Sequence, residues 1–180
     1  MKRNILIALF ILTFAFNSMA QTTETKEANP ADVASIDAIM KAVYEVISGD
    51  AGVKRDWDRF RTLFHPSARL IPTGKNPQTN VVGARALTVE EYITRAAPFM
   101  EKEGFFEKEI ARRADTYGNI AQVFSTYASF HKADDKTPFQ RGINSFQLLN
   151  DGKRWWVVTI YWQGETAETP IPKKYLKSKK

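Results

Sequence analysis

The chain has no cysteine and only two histidines, His65 and His131, in 180 residues. Without thiols there is no disulfide framework, no Cys-ligated zinc and no acylated lipoprotein cysteine. Two separated histidines without an HExxH pattern give no zinc site, and no metal or cofactor is expected. GxSxG, GxGxxG and P-loop motifs are also missing, which removes nucleophile-elbow, dinucleotide and phosphate-cradle chemistry. No internal repeat or low-complexity segment is present. Only one apolar run is long, Ile5 to Phe16. At about 12 residues it is short of the roughly 20 that cross a bilayer, so no stable membrane anchor is expected.

That run does fit a different purpose. Lys2 and Arg3 precede it, and Ser18-Met19-Ala20 follows with small residues where signal peptidase needs them. Residues 1–20 therefore read as a cleavable signal peptide, and the chain as periplasmic or secreted. Removing them leaves 160 residues, enough for one domain with its own core. The net charge of +6 falls to +4 with Lys2 and Arg3 gone, and much of it sits in Lys173–Lys180. Residues 169–180 are expected to be a solvated basic tail, and nucleic acid is not an expected partner. Residues 21–31 read as a disordered linker.

Residues 32–168 carry the periodic patterns. Val33, Ile36, Ile39, Met40, Val43 and Ile47 predict a helix over Asp32–Ser48, with Asp32 or Ser35 as its cap. Trp57, Phe60, Leu63 and Phe64 predict a second over Asp56–Phe64, stopped at His65-Pro66. Thr88 and Glu91 are spaced as a capping box and open a third, reaching Glu103 and disturbed at Pro98. Ala68–Pro72 and Val81-Val82 read as short strands. Phe105–Tyr117, Ile120–His131, Phe139–Leu149 and Trp155–Gln163 read as long strands, the first two joined by a Gly118-Asn119 turn. The expected class is α+β, with three N-terminal helices packed on a strongly curved antiparallel sheet.

This order, with Asp56-Trp57-Asp58-Arg59-Phe60, Phe64-His65-Pro66-Ser67-Ala68, Gly118–Tyr127, Arg141–Leu148 and Asp151–Trp156, resembles the NTF2-like superfamily. That cone-shaped fold includes ketosteroid isomerases, scytalone dehydratases and SnoaL-type cyclases. The last two blocks are similar to those of exported bacterial members. The resemblance implies a cone fold over nearly the whole mature chain, and a homodimer through the outer sheet face. It places Tyr44 near the family's acidic tyrosine. The strand that carries the isomerase base reads Ala68-Arg69-Leu70-Ile71-Pro72 here, without a carboxylate. His65 and His131 do not match the dehydratase histidine pair.

Hairpin register then predicts what lines the cone. A two-residue turn at Gly118-Asn119 pairs Arg113 with Phe124, Ala111 with Thr126 and Glu109 with Ala128. A loop over Lys132–Pro138 pairs Thr126 with Asn144 and Phe124 with Phe146. Side chains alternate along a strand, so these groups share a face. A last turn at Asn150-Asp151-Gly152 adds Trp156, Val158, Ile160 and Trp162; a turn at Asp151-Gly152 adds Trp155, Val157, Thr159 and Tyr161 instead. The expected inner face is Phe124, Phe130, Phe146, Leu148, Val158, Ile160 and Trp162. Thr126, Arg141, Asn144 and Trp162 are the expected ligand contacts, since apolar walls with sparse polar anchors make a small-molecule pocket. Glu109, with His65 or Tyr44, is the candidate catalytic set; Glu109 paired to Arg141 as a structural ion pair is the alternative. Ser125, Tyr127, Ser129, Ile143, Ser145, Gln147, Val157, Thr159 and Tyr161 fall on the expected outer, dimerising face. The expected function is binding of a small, partly apolar molecule without catalysis. A cofactor-free lyase, isomerase or hydrolase, or a dimeric assembly module, are the alternatives.

Overall fold

In the computed structural model, which describes residues 27–177, Ser35 splits the expected first helix in two. The signal peptide and most of the linker lie outside the described residues. Helix α1 (Pro30–Val33) starts inside the expected linker, because Asn29 caps it and Pro30 fits a first helical position. Ser35 is extended, and its hydroxyl accepts from the Ala38 amide to open α2 (Ile36–Ile47). Asp56 caps α3 (Trp57–Thr62) through the Arg59 amide. The chain passes at once into β1 (Phe64–Lys75), which takes in His65 and Pro66 and is longer than expected. Strand β2 (Val82–Ala84) follows, then α4 (Val89–Glu103), which opens on the Thr88/Glu91 capping box and continues through Pro98. Strands β3 (Phe106–Tyr117), β4 (Ile120–Phe130), β5 (Gln140–Asn150) and β6 (Trp155–Gly164) complete one sheet.

The sheet order is β2-β1-β6-β5-β4-β3. It is open, with β2 and β3 at its edges. It is mixed rather than purely antiparallel, because β1 runs parallel to β6. The helices cover one face, and Ile39, Met40, Phe60, Leu63, Val123, Phe146, Leu148 and Val157 make the core between the layers. Among the described residues no helix is long and apolar enough to cross a membrane.

Three register details decide which side chains enter the cone. Tyr117 faces Ile120 as expected, but a bulge between Glu109 and Ala111 pairs Glu109 with Tyr127 instead of Ala128. Phe139 donates to the Ser129 carbonyl and Gln140 pairs Ser129, one residue out of the expected register. His131 leaves the ladder to stack on Phe139 and reach the Gly104 carbonyl. A one-residue slip reverses a face. Tyr127, Ser125 and Ser129 therefore face the helices, while Phe124, Thr126, Phe130 and Arg141 face away, against expectation. In β6 a bulge between Gln147 and Leu148 of the partner strand puts Val157 opposite Leu148, yet Ile160 opposite Phe146 and Trp162 opposite Asn144. Neither expected turn forms, because Asn150 pairs Trp155 across the loop 151–154; Val157, expected on the outer face, packs inward in place of Val158, while Ile160 and Trp162 keep their expected side.

Beyond β6 the chain turns back across the outer face as a strap ending in a 3-10 turn (Lys173–Tyr175). Thr126 Oγ1 donates to the Tyr175 carbonyl at 2.5 Å, the Tyr175 ring lies 5.5 Å from that of Phe124, and Arg113 Nε donates to the Lys174 carbonyl. The described part of the expected solvated tail is docked through this stretch, with Lys173, Lys174 and Lys177 exposed.

Gly104 ends α4 at φ 72°, and a Cβ there would sit 2.5 Å from the His131 carbonyl oxygen. Both the left-handed backbone and the close approach favour glycine. Gly104→Ala is expected to lower stability by about 1–3 kcal/mol, read as a reduced urea midpoint. An unchanged midpoint would show that the two segments separate without penalty.

Candidate functional site

Between α2, α4 and the inner sheet face lies a cavity of about 110 Å³. Its walls are mainly apolar and include Val43, Phe60, Leu70, Phe146, Ile160 and Trp162. Tyr44, Tyr92, Glu107 and Asn144 supply its polar groups. Helix α2 turns Tyr44 inward on the stripe that buries Met40, Val43 and Ile47. Helix α4 brings Tyr92, whose ring stacks on Phe60 at 5.6 Å and meets Trp162 edge-on at 6.2 Å.

Glu107 is the group that sequence reasoning missed. It stands two residues before Glu109, on the same face of β3, so the alternation that singled out Glu109 applies to it equally. Ser129 Oγ donates to its Oε2 at 2.9 Å and Asn144 Nδ2 to its Oε1 at 3.1 Å. Burial pushes its carboxyl from the usual 4.5 up to about 7, and those two hydrogen bonds only partly oppose the rise. Its hydrogen-bond partners among the described residues are neutral. Burial, and then the Glu107 charge, also raise Tyr92 and Tyr127 above the ordinary tyrosine range. Neither hydroxyl makes a hydrogen bond among the described residues.

From Glu107 a polar chain runs to the rim. Asn144 Nδ2 also donates to the Tyr44 hydroxyl at 3.2 Å. Tyr44 and Ser125 are 2.7 Å apart, and Ser125 donates onward to Glu109. Ser125 has one proton, given to Glu109, so Tyr44 donates to Ser125 and accepts from Asn144. The Tyr44 proton is thereby committed, and burial followed by the Glu107 charge raises its pKa. Glu109 ends the chain, held by Arg112 Nε at 2.7 Å, while Arg112 also contacts Asp37.

The other expected site residues scatter. Asn144 and Trp162 line the cavity. Thr126 is on the outer face under the strap. Arg141 pairs with Glu165 at 2.8 Å, not with Glu109. His65 bonds Ser67 at 2.8 Å and stands edge-on to Trp156, apart from Glu109 and Tyr44. Glu109 faces the helices as expected, but in an ion pair with Arg112. Among the described residues no three histidine, aspartate or glutamate side chains gather as a metal ligand set.

No family model matches the chain, and no curated protein matches it. Solved structures do. A cystatin-like-fold protein of unknown function from Nostoc punctiforme superposes with a TM-score of 0.56 at 10% identity, over 79% of this chain and 97% of that one. A protein from Streptomyces avermitilis, provisionally named a dehydratase of the NTF2-like family, gives 0.55 at 14% identity, over 76% and 97%. An NTF2-like superfamily protein from Salmonella enterica gives 0.51 at 16% identity, over 74% and 87%. With its helices on one face of an open six-stranded sheet around a small cavity, this chain has the NTF2-like fold.

Proposed function

We propose that this chain is an exported NTF2-like domain that binds a small, partly apolar molecule in its cone, with Glu107 as the polar anchor. The observation that carries the reading is Glu107 itself. A carboxyl sits in an apolar cavity without a basic hydrogen-bond partner, near two tyrosine hydroxyls that also lack hydrogen-bond partners among the described residues. Ser129 and Asn144 already hold this carboxyl, and a ligand that brings it a further donor offsets part of the desolvation that raises its pKa. A cavity of about 110 Å³ is smaller than the roughly 150 Å³ that holds benzene, so the seated part of the ligand is no larger than one small ring. Dimerisation belongs to this proposal through the part of the outer face that the strap leaves open.

One observation favours a second reading, cofactor-free proton transfer such as a lyase or isomerase step. A carboxyl titrating near 7 is matched to general acid–base work at neutral pH. The Streptomyces avermitilis relative, provisionally a dehydratase, belongs to that class of reaction. Glu107 takes the role expected of Glu109.

Native mass spectrometry of the protein recovered from the exporting host tests the first reading. The expected mass begins at Gln21 and carries a small adduct that Asn144→Leu removes while the protein stays folded. The same spectrum gives the subunit number. An adduct that survives Asn144→Leu would place the ligand outside the cone, and an uncleaved N-terminus would overturn export.

A further inference from the structure

Between the strap and the outer face of the sheet lies a second pocket, open to solvent on one side, of about 380 Å³. It is more than three times the cone cavity of about 110 Å³, and lies within the roughly 300–1,000 Å³ range of small-molecule sites. Phe124, Ile143, Ser145 and Tyr161 form its floor, from β4, β5 and β6, and Pro170 and Ile171 its roof.

The space follows from how the strap is held. At one end the Ile171 amide donates to Glu165 Oε1 at 2.9 Å, and the Thr169 amide donates to the Thr166 carbonyl at 3.1 Å to close a turn. At the other end Tyr175 is fixed on Thr126 and Phe124. Between these pins Pro170 and Pro172 have no N–H to add to a strand ladder, and the small Ser145 lies on the floor beneath. The strap bridges the sheet rather than packing on it.

The chemistry of the walls selects the occupant. Glu165 is the one ionised group among the lining residues, and it is neutralised by Arg141 at 2.8 Å and by the Ile171 amide. An ionic guest would find no counter-charge. Ser145 and Tyr161 bring hydroxyls without a hydrogen-bond partner among the described residues, and Tyr161 is 49% exposed. We propose that this space is a binding site, separate from the cone, for a neutral, largely apolar molecule about two rings in size with a single hydrogen-bonding group. The ligand lies between the Phe124, Ile143 and Tyr161 side chains and the Pro170-Ile171 roof.

The probe is N-phenyl-1-naphthylamine, neutral and two ring systems long, titrated into the purified protein. Its fluorescence is expected to rise and saturate. Amide shifts of Ser145, Tyr161, Ile171 and Tyr175 in ¹H–¹⁵N spectra are expected to saturate at the same concentration. Ser145→Phe, which fills the floor, is expected to weaken binding at least tenfold; if that variant does not fold, the amide shifts decide alone. Shifts confined to Tyr44, Glu107 and Tyr92 would assign the probe to the cone and overturn this site while leaving the cone reading intact. No fluorescence rise would overturn it as well. So would shifts at the strap amides that depend on protein concentration without probe, because a second copy of the chain would then cover this face.

Discussion

Arg55→Met is expected to destabilise the protein by about 3–5 kcal/mol, because it takes the shared donor from several backbone carbonyls at once, each costing about 1–3 kcal/mol where it is left buried and unpaired. Arg55 is only 5% exposed, and its guanidinium makes no hydrogen bond to a carboxylate. It donates instead to the carbonyls of Ile47 at 3.1 Å, Gly49 at 2.6 Å, Asp50 at 3.1 Å, Met100 at 2.9 Å and, at shorter range, Val53. Ile47 is the last residue of α2, and Met100 lies in the last turn of α4. Terminal helical carbonyls have no partner within the helix and carry the negative end of its dipole. One planar cation thus satisfies both helix ends, and the methionine variant leaves five acceptors without it. Burial lowers the Arg55 pKa, while Glu101 and Asp50 nearby favour its charge. Gly49 permits the approach, since a Cβ there would sit 2.9 Å from the guanidinium.

Arg55→Lys separates charge from geometry. An ammonium keeps the charge but has three donors and no planar fork, so a loss of about half the methionine value is expected. Urea unfolding of both variants measures the two losses. A loss below about 1 kcal/mol for Arg55→Met would mean that water replaces the guanidinium at no penalty, against the cost expected for unpaired buried carbonyls. The effect reaches the cone. Gly49 and Phe105 exchange backbone hydrogen bonds at 2.7 and 3.0 Å, and Phe105 is two residues before Glu107. A clamp that fixes Gly49 therefore also fixes where β3 starts and where its first carboxylate points.

The helices were legible because their signals are local. The Thr88/Glu91 box and the stripe from Ile39 to Ile47 each lie within a few turns of chain. Ser35 broke the first helix because its hydroxyl competes as a cap, a choice that apolar spacing does not record. The Gly118-Asn119 turn fixed the β3–β4 register for its first seven pairs, as far as Ala111 and Thr126. Past that point the cone was legible only in part. The bulge at Ile110 turned Glu109 inward. The departure of His131 from the ladder moved β5 by one residue and turned Thr126 outward. Both depend on contacts distant in sequence, His131 with Gly104 above all. Asn144 and Trp162 kept their expected place because the slip at β4–β5 carried β5 and β6 together. Arg141 found Glu165, in the turn after β6, a partner no hairpin register reveals. The strap was read as solvated because lysines dominate it, yet Tyr175 and the two prolines decide its path.

Glu107→Gln is expected to make the protein more stable above neutral pH, with a gain that depends on pH in a defined way. The carboxyl moves from the usual 4.5 to about 7 on folding, so between those values the folded state holds a proton that the unfolded state has lost. Stability of the parent protein therefore falls as pH rises from about 4.5 to about 7, by up to about 3 kcal/mol, and is level on either side as far as this group is concerned. Glutamine cannot ionise, and its amide can still accept from Asn144 and donate to Ser129. The two proteins should match below about pH 4.5, diverge through the acid range and differ by a constant amount above pH 7. Urea unfolding at a series of pH values measures the divergence, and a ¹³C titration of the Glu107 carboxyl gives its midpoint directly. A midpoint near 4.5 with parallel stability curves would mean that water or an unrecognised cation solvates the group, and the polar anchor of the cone would have to be sought elsewhere. A midpoint near 7 also separates the two functional readings. As a general base, Glu107 would make turnover of a small carbonyl compound rise with pH through 7, and Glu107→Gln would lower it by about 10²–10⁴. As an anchor alone, the same substitution would weaken binding and leave no pH-dependent rate to lose.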